Sequence, residues 1–402
     1  MSAQFLKLHS VVACALLLSA CSSEPTSSTD ASGFSCGPMT DAGPTESFAT
    51  FNAGLARNFV GYASERVQPV AAALAGVDAD FLCVEEVWED GDVAVVTEAA
   101  KAKFPYQYQV PTAAESTAGL PPSCTPTDAA PLKACVEAHC ANAPTLAECA
   151  LAECSKEYLA TSNSCQTCLA ANIYLNSIGS IFAACAQSSS QFIFGGRNGL
   201  ILLSKKPLKQ LEYKKLDSYL IQRVILHAVA TASDVETHLF CTHIQAGLGD
   251  IAYNGKAGSW EAEQGNQLKT LAAWILERSV GGPWVLMGDL NAGPDRPPEL
   301  TGEFPKNFDL LIDGLNVARS VVAMPFTYAA SPVCSWCDAN LLTATTPNEI
   351  IDHIVLSQQF SGLAGQRILD QPLTLPGGAT QVNLSDHYGV RITAKRSALG
   401  CK

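Results

Sequence analysis

Several short segments of this 402-residue chain place acidic, amide or imidazole side chains directly after apolar runs that are typical of buried strands. The full set of such side chains is Asn52, Glu85, Glu86, His243, Asp289, Asn291, Asp352, His353, Asp386 and His387. One segment of this kind is usually only a turn, but a sheet brings the ends of its strands to a common rim. Because the pattern recurs along the chain, we predict that these side chains converge on one site.

The residue types in this set suit the hydrolysis of a phosphate ester with the help of a divalent cation. A phosphate diester is anionic and resists water, so catalysis needs positive charge on its phosphoryl oxygens and an activated water molecule. Hard oxygen donors favour Mg²⁺, with Mn²⁺ or Ca²⁺ as alternatives. Those donors are Asn52, Glu86, Asp289, Asn291 and Asp386. The histidines are then available as a base and an acid on opposite sides of phosphorus.

The order of the motifs resembles the endonuclease/exonuclease/phosphatase superfamily, which includes the neutral sphingomyelinases. The segments that carry the resemblance are Phe51-Asn52, Glu85-Glu86-Val87, Asn198-Gly199-Leu200, Leu203-Ser204-Lys205, Thr242-His243, Gly288-Asp289-Leu290-Asn291, Ile351-Asp352-His353 and Ser385-Asp386-His387. They extend over residues 50–393, apart from a cysteine-rich stretch. One departure is Glu85, since many members have Gln there, so the resemblance assigns the metal-binding role to Glu86.

The resemblance also implies a role for each site residue. His387 is expected to be the base that activates water, and Asp352 is expected to orient its imidazole and stabilise the imidazolium. His243 would stabilise the phosphoryl oxygens or the departing alkoxide, while Asp289 and Asn291 would position water and phosphate. The implied metal ligands are Asn52, Glu86 and Asp386.

The sequence between these residues indicates strands that alternate with helices. This order predicts a sheet core flanked by helices. Apolar residues at helical spacing predict helices over residues 65–75 and 261–277. The resemblance makes the fold class α/β (α+β), a four-layer α/β/β/α sandwich of two packed, mainly antiparallel sheets. The predicted catalytic domain comprises residues 48–110 and 188–402.

The stretch 111–187 interrupts that domain and differs from it in composition. It holds half of the chain's sixteen cysteines within Ala-rich helical sequence: Cys124, Cys135, Cys140, Cys149, Cys154, Cys165, Cys168 and Cys185. We predict an inserted helical module whose cysteines pair among themselves in disulfides, with the pairing left open. A zinc site at Cys165 and Cys168 is the alternative.

Four cysteines elsewhere have simpler interpretations. Cys83 and Cys241 lie within core strands and are interpreted as buried thiols rather than nucleophiles. Cys334 and Cys337 have the spacing of a local disulfide in a loop.

The N-terminus predicts export. Lys7 precedes the apolar run 11–18, and the sequence Leu18-Ser19-Ala20-Cys21 resembles a lipobox, so residues 1–20 are expected to be a lipoprotein signal peptide and Cys21 the lipidated residue. The run is too short for a transmembrane helix. Residues 21–47, rich in Ser, Thr and Pro, are expected to be a flexible tether. We therefore expect a protein anchored by lipid to the bacterial cell envelope, in the outer membrane or at the cell surface.

The sequence constrains the class of substrate less than it constrains the type of reaction. A net charge of −13 disfavours sequence-independent binding to nucleic acid, which relies on Lys and Arg. The segment Thr242-His243-Ile244-Gln245 and the stretch 336–342 resemble sphingomyelinases. Secreted sphingomyelinases often carry an aromatic hairpin that inserts into the membrane before the Ser-Asp-His motif. Here residues 357–384 contain only one aromatic residue, Phe360, which departs from that pattern.

We expect a monomeric phosphodiesterase of the sphingomyelinase or phospholipase C type, acting on a lipid head group. One alternative is an extracellular DNase-like endonuclease acting on nucleic acid. The other is a surface binding protein that keeps the fold without catalysis. A decayed enzyme should have lost at least one site residue, and Asn52, Glu86, His243, Asp289, Asn291, Asp386 and His387 are all present.

Overall fold

The computed structural model describes residues 44–396 except 111–120, 142, 144–145, 176, 188–190, 233–234, 250, 316–333, 344–345, 376–377 and 379. The predicted signal peptide, Cys21 and residues 22–43 of the tether lie outside the described residues. The first strand begins at Thr45, so residues 45–47 belong to the fold rather than to the tether. Glu46 is buried and pairs with Lys206 at 2.8 Å, which explains why a polar sequence enters the sheet here.

One sheet contains six strands within the described residues, in the order β10-β13-β1-β2-β4-β3. The strands are β1 (Thr45–Asn52), β2 (Phe81–Glu85), β3 (Tyr106–Tyr108), β4 (Ile201–Ser204), β10 (Phe360–Ile368) and β13 (Gly389–Arg396). Only β1 and β2 are parallel in this sheet; the other neighbours are antiparallel.

The second sheet has five described strands in the order β5-β6-β7-β8-β9. They are β5 (Leu208–Lys215), β6 (Val224–Ala232), β7 (Val235–His243), β8 (Trp284–Asp289) and β9 (Asp352–Leu356). Here β7 and β8 form the parallel pair. The strands β11 (Leu373–Thr374) and β12 (Gln381–Val382) form a short hairpin that is not paired with either sheet.

The two sheets pack face to face, and helices cover their outer faces. Alternation along each strand sends one side chain to the partner sheet and the next to the helices. Leu239 and Cys241 pack between the sheets, whereas Phe240 packs on the outer side with Leu271 and Trp274. The predicted α/β/β/α sandwich with mainly antiparallel sheets is confirmed.

Helices α1 (Ala63–Gly76) and α2 (Asp90–Ala100) flank the first sheet, and α8 (Trp260–Ser279) and α9 (Pro305–Gly314) flank the second. The buried face of α1 carries Val67, Val70 and Leu74, the apolar spacing that predicts this helix. Ser259 caps α8 by accepting a hydrogen bond from the Ala262 amide. None of the helices in the described ranges is long and apolar enough to cross a bilayer.

The cysteine-rich module is helical and disulfide-bonded, as predicted. Its helices are α3 (Pro126–His139), α4 (Leu146–Glu153), α5 (Ser155–Leu159), α6 (Asn163–Ala171) and α7 (Ile178–Cys185). The eight cysteines pair as Cys124–Cys165, Cys135–Cys154, Cys140–Cys149 and Cys168–Cys185. Because Cys165 and Cys168 belong to different disulfides, the zinc alternative is wrong.

The interpretation of Cys83 and Cys241 as buried thiols is wrong: the two form a disulfide between β2 and β7. Both side chains face the interior between the sheets, where stacking brings their Cα atoms to 5.5 Å. Cys334 and Cys337 form the predicted local disulfide. Six disulfides among the described residues fit a protein that folds in an oxidising compartment.

Candidate active site

The predicted site residues meet at one end of the sandwich. Asn52, His243 and Asp289 end β1, β7 and β8, and Asp352 begins β9. Because β9 runs antiparallel to β8, its first residue lies opposite the last residue of β8, and Asp289 is paired with Asp352. The same logic places His387, just before β13, at this rim. The pocket lining includes Glu86, Arg223, His243, Asp289, Asn291, Trp336, Asp386 and His387.

His387 and Asp352 form the pair that the resemblance implies. His387 Nδ1 lies 2.9 Å from Asp352 Oδ2, and both residues are buried. A carboxylate only accepts, so the contact places the imidazole proton on Nδ1 and leaves Nε2 available. Burial lowers the pKa of His387, but the carboxylates of Asp352 and Asp289 outweigh it and hold that pKa well above the usual value.

The Ser335–Trp336 segment holds this pair in place. Ser335 Oγ accepts hydrogen bonds from the amides of Ile351 and Asp352, each at 3.1 Å. The Trp336 ring packs edge-on against the His387 imidazole with centroids 4.8 Å apart. This segment therefore fixes both members of the pair.

Asn340 anchors the loop that carries the Ser385-Asp386-His387 motif. Its Nδ2 donates to the carbonyl of Ser385 at 2.9 Å, one residue before Asp386. This contact gives a structural reason for the stretch 336–342 that the sequence analysis singled out.

Oxygen donors cluster beside the histidine. Asn52 Nδ2 donates to Asp289 Oδ2 at 2.9 Å and to Glu86 Oε1 at 3.1 Å. Burial raises the pKa of Glu86, and the negative charge of Asp386 raises it further. Burial and the charge of Asp352 likewise raise the pKa of Asp289.

Burial is the main cause of both raised pKa values, and the positive charge near Glu86 and Asp289 is not enough to offset it. Hard carboxylate oxygens in such surroundings fit a divalent cation of the Mg²⁺ type, whereas the amide oxygen of Asn52 accepts a hydrogen bond from the Gly54 amide at 3.0 Å.

Asp386 lies against the segment that directly follows β1. Gly54 has φ of +53°, and a Cβ at that position would overlap Asp386 Oδ1. Ser385 Oγ donates to the same oxygen at 2.9 Å. Glycine at position 54 therefore allows the two chain segments to approach and sets the position of the Asp386 carboxylate.

His243 also lies beside the carboxylates. Its Nε2 lies 3.4 Å from Asp289 Oδ2 and 3.9 Å from Glu86 Oε1. Burial lowers the pKa of His243 well below the usual value, and the positive charges of Arg223 and His387 lower it further. The imidazole is therefore neutral and can act as a hydrogen-bond donor.

Asn291 is present in the pocket, but its amide is already engaged. Its Nδ2 donates to the carbonyl of Ile244 at 2.9 Å, and its backbone amide donates to Asp289 Oδ1 at 2.9 Å. Asn291 thereby fixes the Asp289 carboxylate. His353, within the same motif as Asp352, instead turns inward to the carbonyl of Ala292 at 2.8 Å.

Arg223 is a pocket residue that the sequence analysis missed. It precedes β6 and is buried, and its Nε and Nη1 have no hydrogen-bond partner among the described residues. Burial lowers its pKa to about 10, against the opposing effect of Glu86. The only signal in the sequence is an arginine directly before an apolar strand, which is also typical of surface positions.

Two clusters of possible metal ligands stand out in the part of the chain that the structure describes. One contains Cys83, Glu85 and Cys241, but the disulfide removes both thiolates. The other contains Asp289, Asp352 and His387, in which Asp352 is committed to the imidazole. The wider oxygen set around Glu86 and Asp289 is therefore the better candidate.

A family model, described as the Endonuclease/Exonuclease/phosphatase family, matches residues 49–387. The chain belongs to this family, in agreement with the resemblance of its motifs. No curated protein sequence matches it.

Solved structures with the same fold include sphingomyelinase C from Streptomyces griseocarneus, with a TM-score of 0.52 at 15% identity over 87% of this chain and 99% of that one. A mutant beta toxin from Staphylococcus aureus, solved with bound magnesium ions, gives 0.52 at 14% identity over 88% and 100%. TDP2 from Caenorhabditis elegans gives 0.51 at 11% identity over 88% and 74%. At these identities the likeness establishes the fold alone.

Proposed function

We propose that this protein is a Mg²⁺-dependent phosphodiesterase of the sphingomyelinase or phospholipase C type. The observation that carries the proposal is the His387–Asp352 pair, whose free Nε2 faces the carboxylate of Asp289 at 3.8 Å. A cation bound here would offset the charges of Asp289 and Asp386 that raise the pKa of His387, so that Nε2 would lose its proton and become an acceptor beside a cluster of oxygen ligands. That combination is what attack of water on a phosphate diester requires.

In the proposed reaction His387 Nε2 takes a proton from the attacking water, and Asp352 stabilises the imidazolium that forms. Asn52, Glu86 and Asp386 would hold the cation, which supplies positive charge to the phosphoryl oxygens. His243, which is neutral, donates to a phosphoryl oxygen or to the departing alkoxide.

Arg223 adds a second, permanent positive charge in the pocket. Asn291 keeps Asp289 in the orientation that positions water and phosphate.

A lipid substrate is favoured over nucleic acid by the pocket wall. Phe59, Val60, Ile221, Leu248 and Ile251 line it beside the polar residues. The described pocket lining contains one arginine, Arg223, and no lysine, whereas a nucleic-acid groove needs several such side chains to contact successive phosphates. The net charge of −13 points the same way.

A substrate panel tests the proposal. Sphingomyelin vesicles, plasmid DNA, inositol phosphates and bis(p-nitrophenyl) phosphate are each incubated with Mg²⁺ and with chelator. We expect chelator-sensitive hydrolysis of sphingomyelin and of the chromogenic diester. Faster cleavage of DNA would instead identify an endonuclease, and no hydrolysis of any substrate would identify a binding protein.

We also propose that the protein acts as a monomer tethered to the envelope through lipid on Cys21. The basis is the lipobox-like sequence at 18–21, together with the disulfides that indicate export. Replacing Cys21→Ser should move the protein from the membrane fraction to the soluble exported fraction. If the variant stayed with the membrane, the anchor assignment would be wrong.

A further inference from the structure

The cysteine-rich module carries an apolar cleft beside the candidate active site. Its walls include Leu132 and Val136 of α3, Leu169 of α6, and Ile181 and Phe182 of α7. The cavity volume is about 80 Å³, and the space rises to about 630 Å³ when the open solvent at its mouth is counted. Apart from Tyr158, every lining side chain is apolar, and burial raises the pKa of that phenol to about 12. The cleft therefore offers a dry surface without charge.

This cleft is continuous with the candidate active site. Phe59 and Ile251 line both the cleft and the catalytic pocket. Phe59, 43% exposed, packs edge-on against Phe194 at 6.0 Å between centroids, and Phe194 stacks on Trp88 at 4.8 Å. The Trp88 ring centroid lies 6.3 Å from that of His243. An unbroken series of rings thus leads from the mouth of the cleft to the phosphate-binding residues.

The module is fixed against the catalytic domain by polar contacts at this junction. Asn58 Nδ2 donates to the carbonyl of Tyr174 at 2.6 Å, and the hydroxyls of Thr167 and Tyr219 lie 3.0 Å apart. Four disulfides stiffen the module itself, and their cysteines lie in the same apolar core as the cleft walls. A rigid apolar site loses little entropy when it binds a flexible apolar group.

We propose that the cleft binds a hydrocarbon chain of the substrate while its phosphate occupies the catalytic pocket. The inference rests on the proposed function and specifies its substrate as a phosphate ester of an amphiphile with at least one long alkyl chain. Continuity through Phe59 and Ile251 selects this occupant, because a chain attached to a bound phosphate enters the cleft along the aromatic series. Each buried methylene group strengthens binding.

The test compares the binding of ethyl phosphate and monomeric decyl phosphate to the mature protein in Mg²⁺ by calorimetry. We expect decyl phosphate to bind at least ~10-fold more tightly. Ala150 lines the cleft on α4, whereas Ala152 on the same helix is exposed and lies outside it. Ala150→Trp should reduce the decyl advantage to under ~3-fold, because the indole fills the cleft. Ala152→Trp, the matched control, should retain it.

Equal binding of the two phosphates by the wild-type protein overturns the inference, as does an undiminished advantage in folded Ala150→Trp. Thermal unfolding of both variants verifies that they fold. Hydrolysis of bis(p-nitrophenyl) phosphate, which has no alkyl chain, separates the two claims. If this diester is cleaved without a chain-length effect on binding, the proposed function stands and the cleft assignment fails. If it is not cleaved, the proposed function fails, and the binding ratio still decides the cleft.

Discussion

Glu85 and Glu86 are neighbours in the chain but have different surroundings. Glu85 is the last residue of β2, and its Oε1 accepts a hydrogen bond from Thr50 Oγ1 at 2.6 Å beneath the site. Burial raises its pKa well above the usual value. At Glu86 the backbone turns to φ of +57°, which ends the strand and presents the side chain to the pocket. The geometry therefore assigns different roles to two adjacent acids.

This difference gives a matched pair of substitutions. Glu86→Gln removes a proposed cation ligand and should lower kcat for bis(p-nitrophenyl) phosphate by at least ~100-fold. Glu85→Gln keeps a neutral acceptor for Thr50 and should stay within ~3-fold of wild type, since its side chain does not line the pocket. Equal losses in the two variants would show that the assignment of Glu86 is wrong.

Arg223 supports a second prediction at this scale. Removing its charge by Arg223→Gln should lower kcat/KM by about 100-fold, because a buried cation aimed at the phosphate stabilises developing negative charge. Stability towards urea should change little, because burying an incompletely paired charge is itself costly. Arg278→Gln, at a half-exposed arginine outside the pocket, is the control. Unchanged kinetics for Arg223→Gln would remove the residue from the site.

At the scale of elements, the strand ends were predictable and their finer geometry was not. Apolar runs followed by polar residues locate the ends of β1, β2, β7 and β8, because burial and strand alternation are local properties. The bonding of Asn291 to Ile244 depends on how neighbouring loops cross, and a sequence does not carry that information locally. The motifs thus predict which residues meet, and packing decides how each one points.

The disulfide between β2 and β7 is likewise a feature that the local sequence does not predict. Cys83 and Cys241 are 158 residues apart, and only the stacking of the two sheets reveals that they are partners. Cys83 lies three residues before Glu86, and Cys241 lies two residues before His243. The bond therefore ties the two halves of the rim together.

Loss of this disulfide should be costly. In the double variant Cys83→Ala/Cys241→Ala we expect the free energy of unfolding to fall by about 2–5 kcal/mol, because the bond closes a long loop in the unfolded chain. The double variant Cys334→Ala/Cys337→Ala, which opens a loop with a sequence separation of only 3, should lose clearly less. Urea unfolding measures both, and a larger loss at the short loop would contradict the prediction.

For the whole molecule, the buried His227 and its half-buried neighbour His238 contribute to the dependence of stability on pH. His227 Nε2 and His238 Nδ1 lie 3.0 Å apart in the second sheet, with Arg278 and Glu212 nearby. Burial, together with the positive charges of His238 and Arg278, lowers the pKa of His227 to about 4. The folded protein therefore keeps His227 neutral where the unfolded chain binds a proton.

The direction in which stability changes with pH follows from this difference in proton binding. The contribution of His227 is fully present above about pH 6.5 and is lost as the pH falls towards about 4, by about 3 kcal/mol in total. His227→Gln should flatten this part of the stability profile measured by urea unfolding between pH 4 and 7. A variant with the same slope as wild type would show that other groups dominate the window.

The net charge and the apolar cleft are properties of the whole molecule. Composition predicted an acidic, exported protein, and the disulfides agree with export. The apolar cleft was not predictable, because its walls come from helices whose packing is set by disulfide pairing. The pairing of eight cysteines is not encoded in their spacing.

In the proposed reaction His387 acts as a base beside a cation held by oxygen ligands. The most direct measurement is the turnover of bis(p-nitrophenyl) phosphate by wild type, His387→Ala and the exposed control His139→Ala, with Mg²⁺ and with chelator. We expect His387→Ala to be at least ~100-fold slower, His139→Ala to match wild type, and chelator to stop all turnover. Near-native turnover by His387→Ala, or turnover by wild type that survives chelation, would contradict the account.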